Sequence, residues 1–242
     1  MPLDEVLRLP NKLLAALSAE YYSRLNPFLE FVELPLGKIL YHQKQSIKTV
    51  YFPRRAVVSM VNVFENGTQV EVGVIGREGV VGHSLLSGDD VSPHQAVVQI
   101  ADGGWRMDAA VFRRELDSNG ELSLLTRRYA HTLFTQVAQT AACNRVHSIA
   151  ERLPRWLLLT QDRLQSETLN LTHEFMATML GVRRASVTLA ASKLQSEGII
   201  RYSRGKVTVL DRNRLEDASC ECHRIVRAEY SRLMEHFEPQ AI

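Results

Sequence analysis

The stretch from Leu171 to Asp211, LTHEFMATMLGVRRASVTLAASKLQSEGIIRYSRGKVTVLD, constrains the fold of this chain more than any other. Thr172 is a helix-capping residue, and Glu174 suits the positive end of the helix it would open. Met176, Met179 and Leu180 fall on one apolar face, and Gly181 supplies the stop. Val187, Ala190, Ala191 and Leu194 recur at i, i+3, i+4 and i+7, which predicts a second helix ending at Gly198. Ala177 is small where the two helices would cross, and Val182 packs behind the turn. IIRY and KVTVL then bracket Ser203-Arg204-Gly205, a short β-hairpin. Two helices joined through a glycine turn match the helix-turn-helix arrangement, and the hairpin is a wing beside it.

Arg183 and Arg184 stand where the second helix begins. Arg183 occupies the position of a Ser, Thr, Asp or Asn cap. Two cations there oppose the helix macrodipole, at a cost of about 0.3–1 kcal/mol each. In a helix-turn-helix, that end enters the major groove. A bidentate arginine on guanine contributes about 1–3 kcal/mol of discrimination, which outweighs the penalty. Residues 171–211 carry six Lys+Arg against three Asp+Glu, a basic footprint. A solvated arginine pair on an ordinary helical hairpin would explain the arginines but not the glycine turn and the wing beside them.

The rest of the 242 residues suggests a second domain. Residues 1–120 hold 12 Lys+Arg and 14 Asp+Glu, whereas residues 121–242 hold 17 and 13. An acidic front and a basic back imply different partners. Residues 11–31 read as short helices on Leu13, Leu14, Leu17, Tyr21, Leu25, Phe28 and Leu29, broken at Pro27. From Leu36 to Met107, GKILYHQ, IKTVYF, AVVSMVNVF, QVEVGVIG and HQAVVQIA are strand-like runs, with Asn66-Gly67 as a hairpin signal. Such closely spaced strands predict an antiparallel barrel or sandwich. Residues 108–116 are helical again. A long helix follows over 121–142, with Leu122, Leu125, Tyr129, Leu133, Val137 and Thr140 at steps of three and four. That stripe is either a dimerisation seam or the core face of one domain. In HSIAERLPRWLLLTQDRL, Pro154 predicts a helix start or a kink. QSETLN is a polar connector, and residues 214–237 read as one more helix.

No run reaches the roughly 18–20 apolar residues of a membrane span. The N-terminus, MPLDEVLRLPNK, has early acids and no apolar core, so no secretory signal is expected and the cytoplasm is the expected compartment. Cys143, Cys220 and Cys222 are too few for a disulfide framework. Cys220-Glu221-Cys222-His223 has metal-ligand residue types. On a helix, however, positions 220 and 222 point about 200° apart, so no metal site is expected there. Cys143 is expected to be a small buried residue.

With these motifs in place, LTHEFMATMLGVRRASVTLAASKLQSEGIIRYSRGKVTVLD resembles the winged helix-turn-helix of the Crp/Fnr superfamily of bacterial transcription regulators. The β-rich region and long helix resemble that family's cyclic-nucleotide-binding-like roll and dimerisation helix. The fold implied is α+β: an N-terminal antiparallel, jelly-roll-like β-roll, a long dimerisation helix and a C-terminal winged helix-turn-helix. The boundaries expected are 1–120 for the sensory roll, 121–147 for the dimerisation helix and hinge, 148–213 for the DNA-binding domain and 214–242 for a C-terminal extension.

The resemblance implies a homodimer on a palindromic double-stranded DNA site, with RNA polymerase as the further partner that activation would require. Its base-reading positions fall on Arg184, Ala185, Ser186 and Leu189. A frequent family pattern has Glu where Ala185 stands, so a different half-site is expected. Thr172, Arg183, Thr188 and Lys206 are the candidate phosphate contacts, and the dimer seam falls on Leu122, Leu125, Tyr129, Leu133 and Val137. Cyclic-nucleotide-binding members hold ribose with a Gly-Glu pair and the cyclic phosphate with an Arg-Ser pair. Here Gly82-His83 and His94-Gln95 align with those pairs. The carboxylate and the guanidinium are both missing, which argues against cyclic AMP and leaves the effector unknown. His83 and His94 would serve another anionic ligand or a pH response, or are ordinary strand and loop residues. An oxygen-sensing iron–sulfur cluster near the N-terminus is not expected, because no cysteine precedes Cys143. No cofactor is predicted.

Two other functions compete. A ligand-binding signalling module would use the helical C-terminus for protein contacts instead of DNA. An enzyme would need a nucleophile–base pair, a phosphate-binding glycine loop or an HExxH spacing, and the sequence has none of these, so catalysis is not expected.

Overall fold

The computed structural model describes residues 11–164, 166 and 168–235. Helices α1 (Lys12–Ala15) and α2 (Ala19–Leu25) are capped by the side chains of Asn11 and Ser18, which accept from first-turn N–H groups. Leu13, Leu14, Leu17, Tyr21 and Leu25 are buried, as their spacing predicts. Pro27 lies in the short turn Asn26–Phe28 that ends this helical run. The reading of the first ten residues and of the last residues of the tail lies outside the described residues.

Seven strands follow: β1 (Glu30–Leu34), β2 (Ile39–Tyr41), β3 (Thr49–Pro53), β4 (Val57–Val63), β5 (Gln69–Ile75), β6 (Gln95–Ile100) and β7 (Asp102–Asp108). They form two antiparallel sheets, ordered β1-β7-β3 and β2-β6-β4-β5. Leu34, Val50, Phe52 and Met107 from one sheet meet Tyr41, Val58, Met60, Ala96 and Val98 from the other in a shared core. The five predicted strand runs are β2 to β6. β1 and β7 were not read as separate strands: EFVEL leaves most of its side chains outside, and DGGWRMD carries two glycines.

β4 is buried along most of its length because both of its faces are covered. Val58 and Met60 point into the roll, whereas Val57, Ser59 and Val61 point outward beneath the helices. After α3 (Ala109–Asp117), α4 (Glu121–Val146) is 26 residues long, roughly 39 Å at 1.5 Å per residue. Leu122, Leu125, Tyr129 and Leu133 are buried in the roll's own core. This corrects the dimer seam placed on them, since their spacing marks the face turned toward the protomer. Val137 is half-buried against the position where a Gly73 side chain would begin.

α5 (Ile149–Leu164) starts earlier than Pro154 and contains it. Ser148 and Glu151 fix that start: the Glu151 carboxylate accepts from both the backbone N–H and the hydroxyl of Ser148, at 2.8 and 2.7 Å. Next come β8 (Thr168–Asn170), α6 (His173–Leu180), α7 (Arg184–Ser196), β9 (Ile200–Ser203) and β10 (Lys206–Val209). The three strands pair as β8-β10-β9, so part of the expected polar connector is a strand of the wing sheet.

The tail is not one helix. α8 (Arg212–Ala218) and α9 (Cys222–Tyr230) are separated by Ser219–Glu221, and a π-helical turn covers Ser231–Glu235. Cys220 therefore lies outside any helix. The 200° separation that argued against shared metal ligation by Cys220 and Cys222 does not exist. Among the described residues, no helix is long and apolar enough to cross a membrane.

Candidate nucleic-acid interface

The Thr172 hydroxyl accepts from the Phe175 N–H at 3.1 Å and starts α6. Gly181 ends α6 with φ +63°, so its own N–H reaches the Thr178 carbonyl and that of Val182 reaches Ala177. Arg152 donates to the Leu180 carbonyl at 2.6 Å, a buried cation on the negative end of α6. Met176, Ala177, Met179, Leu180, Val187, Ala190, Ala191 and Leu194 form one core with Leu153, Trp156 and Leu157 of α5. Both predicted apolar faces are thus turned inward, and the opposite face of α7 is left to solvent.

The residue before α7 is Arg183, with extended backbone and no side-chain capping bond. Among the described residues, no side-chain hydrogen bond caps the first amide groups of α7. Arg183, Arg184 and Ala185 are exposed and Ser186 is half-buried. Leu189 is 73% exposed, an apolar side chain on the same outer face. The Arg184 guanidinium lies 3.9 Å from Glu174, and the two side chains are 69% and 73% exposed. Such a pair contributes little and is easily given up for a stronger partner.

Thr188 is half-buried. Its hydroxyl donates to the Arg184 carbonyl at 3.1 Å and meets His173 Nδ1 at the same distance. The His173 ring stacks on Tyr202 of the wing with centroids 4.0 Å apart. Burial, aided by the charge of Arg184, lowers the His173 pKa, so this link between α6, α7 and the wing is neutral at neutral pH. The sequence reading did not single out His173 or Tyr202. Nothing in their local spacing shows that they stack.

In the wing, Arg204 and Gly205 both have positive φ, 47° and 77°, between the paired Ser203 and Lys206. This is a tight two-residue turn of the type that suits the twist of a hairpin. Arg201, Arg204 and Lys206 are exposed, as is Lys193 on α7. The surface thus presents a cation pair at a helix N-terminus beside a cationic hairpin. Such a surface can receive a polyanion, with backbone N–H groups and guanidiniums both directed at it.

The four candidate effector residues lie in the roll, but not as an open anion site. Gly82 precedes the 3₁₀ turn His83–Ser87. Burial drives the His83 pKa down to about 4, helped by the nearby His94, and its Nδ1 has no hydrogen-bond partner among the described residues. His94 is also lowered by burial, and its Nδ1 lies 3.2 Å from Asn62 Oδ1. Gln95 is buried with its Oε1 3.1 Å from His42 Nδ1. None of the four lines the cavity of about 250 Å³ that opens between the roll, α4 and α9 beside Arg77, Tyr129, Arg163 and Tyr230. The histidines are neutral at neutral pH and bring no charge to an anion.

A winged helix-turn-helix carried on a two-sheet roll defines the class of fold. Residues 151–218 match the family of Crp-like helix-turn-helix domains. Beyond that domain, the chain is similar in fold to solved structures of Crp/Fnr regulators. FixK2 from Bradyrhizobium japonicum superposes with a TM-score of 0.68 at 14% identity, covering 79% of this chain and 98% of that one. A putative Crp/Fnr regulator from Eubacterium rectale gives 0.65 at 19% identity, covering 85% and 96%. The c-di-GMP-responsive regulator CLP from Xanthomonas campestris gives 0.64 at 14%, covering 79% and 99%. No curated protein matches the chain.

Proposed function

We propose that the protein acts as a homodimer on a palindromic DNA site and is regulated by a signal, other than cyclic AMP, that acts through the roll. The observation that carries this reading is the pair of exposed arginines at the uncapped N-terminus of α7, with the cationic wing beside it. Arg184, Ala185, Ser186 and Leu189 read base edges. Arg183, Thr172, Thr188 and Lys206 hold phosphates, which fix register without carrying sequence information. Residues 1–120 are the sensory unit, 121–147 the dimerisation helix and hinge, 148–213 the DNA-binding unit and 214–242 an extension. The protein works in the cytoplasm, where the DNA is, and RNA polymerase is its partner if it activates.

The dimer seam uses the outer face of α4. Leu124, Arg127, His131, Phe134, Ala138 and Ala141 are exposed and recur at steps of three and four. A signal shifts the distance between the two α7 helices relative to the roughly 34–36 Å of one DNA turn, and it does so only by binding one arrangement better than the other.

The test is selection of bound duplexes from a random pool at about 150 mM salt, a regime where phosphate contacts alone are weakened. The wild type should enrich two half-sites one turn apart. Arg184→Ala should lose roughly tenfold in affinity and relax one position of each half-site, in line with about 1–3 kcal/mol per bidentate contact. Unchanged affinity in Arg184→Ala would assign the surface to a protein partner instead.

A further inference from the structure

All three cysteines of the chain converge at one point. Cys143 sits in the last turn of α4, and His147 lies just past its end, with its N–H on the Cys143 carbonyl at 3.0 Å. Cys220 and Cys222 arrive from the junction of α8 and α9. Cys143 Sγ is 3.5 Å from Cys220 Sγ, and Cys222 Sγ is 3.6 Å from His147 Nδ1. The four donor atoms all lie within 4.8 Å of one another, and the three thiols are buried.

With metal–sulfur bonds of about 2.3 Å and metal–nitrogen bonds of about 2.0–2.1 Å, the corners of a tetrahedral site stand roughly 3.5–3.8 Å apart. The Cys143–Cys220 and Cys222–His147 separations both fall in that range. We propose that Cys143, His147, Cys220 and Cys222 form a closed, mononuclear zinc-type site. Three sulfurs and an imidazole select a soft or borderline metal and disfavour magnesium or calcium. A disulfide would use only two of the three sulfurs and leave the third with the imidazole unexplained.

The surroundings support the ligands. His147 Nε2 is 3.3 Å from the Glu221 carboxylate, which orients the ring with Nδ1 toward the sulfurs. Gln139 donates to Cys222 Sγ at 3.1 Å. Three thiolates around a divalent ion leave one net negative charge, and the guanidiniums of Arg152 and Arg155 lie near enough to act on the cluster and balance it.

The placement gives the site its role. Residues 143 and 147 stand at the entry to the DNA-binding domain, and residues 220 and 222 stand at its exit. The matched domain, 151–218, runs between them. One ion would clasp both ends of that domain to the end of α4. This site is independent of how DNA is read, so it stands even if the proposed operator contacts fail.

The protein, purified under reducing conditions without chelator, should contain one zinc per protomer by elemental mass spectrometry. Replacement by cobalt(II) should give the visible bands of a tetrahedral thiolate complex. Cys222→Ser should lose the ion, and Glu221→Gln, which spares every ligand, should weaken zinc at least tenfold in competition with a chromophoric chelator. Metal-free wild type that takes up no cobalt would overturn the proposal. So would zinc retained unchanged in Cys222→Ser, or iron and sulfide found in place of a single ion.

Discussion

Glu71 is the residue where the two domains meet chemically. It lies on the outer face of β5, buried, with Trp156 of α5 donating to its Oε1 at 2.7 Å. Burial raises its pKa to about 7, against the opposing effect of Ser59 and Trp156. The hydroxyl geometry agrees with a neutral acid. Ser59 Oγ is 2.6 Å from Glu71 Oε2 and 2.8 Å from Gln99 Oε1, yet it has one proton to give. A protonated Glu71 donates to Ser59, and Ser59 then donates to Gln99, so both contacts are made. Because the folded pKa lies above the unfolded one, the stability this group adds is complete below about pH 4.5 and is lost as pH rises through about 7, some 3 kcal/mol in all. Urea melts of wild type and Glu71→Gln across that interval should therefore diverge, the variant keeping a flatter profile. Parallel profiles would mean that the carboxylate is already ionised in the fold. In the sequence, VEV on a strand reads as alternation with Glu71 toward water. The alternation is right, but water is replaced by the second domain, and no local pattern encodes that covering. Glu71 and Trp156 were therefore invisible as a pair.

Elements whose signals are local were legible. Gly181, the periodic faces of α6 and α7, and the Arg204-Gly205 turn each act within a few residues, and the structure has them as read. The tail was less legible. Ser219-Cys220-Glu221 holds neither Pro nor Gly, so the break between α8 and α9 carries no strong breaker, and with it the position of Cys220 was misread. α4 failed in a different way. Its apolar stripe was correctly periodic, but a helix carries two useful faces, and the more apolar one belongs to the protomer. The partner-facing candidate is mixed, with Arg127 and His131 beside Phe134, which is 69% exposed. If that face is the seam, Phe134→Glu should give a monomer by sedimentation at micromolar concentration. Its circular dichroism and melting should stay close to wild type, because the side chain touches little of its own chain. A variant that remains a dimer would remove α4 from the interface.

At the scale of the molecule, the DNA-binding domain does not close its own core. Val61, on the outer face of the roll, belongs to the same apolar cluster as Leu157, Met179 and Val187, and Val63 and Val97 pack against it. Polar ties follow the same junction. Arg163 of α5 pairs with Glu78 at 2.9 Å and donates to Gln136 of α4 at 2.6 Å, all three being largely buried. One residue earlier on α5, Asp162 meets His223 at 2.8 Å. Burial opposes ionisation of Asp162, but His223 and Arg212 outweigh it and hold its pKa low. Removing one member of a buried pair such as Arg163–Glu78 costs about 3–5 kcal/mol, because the other charge is left uncompensated. The roll and the winged domain should therefore unfold together. Calorimetry on the intact chain should show a single transition whose van't Hoff and calorimetric enthalpies agree, behaviour that multidomain proteins often lack. Glu78→Gln should lower that transition as a whole. Two resolved transitions in the wild type, or a Glu78→Gln effect confined to one of them, would show that the domains melt as separate bodies and that the apolar junction at Val61 is too weak to couple them.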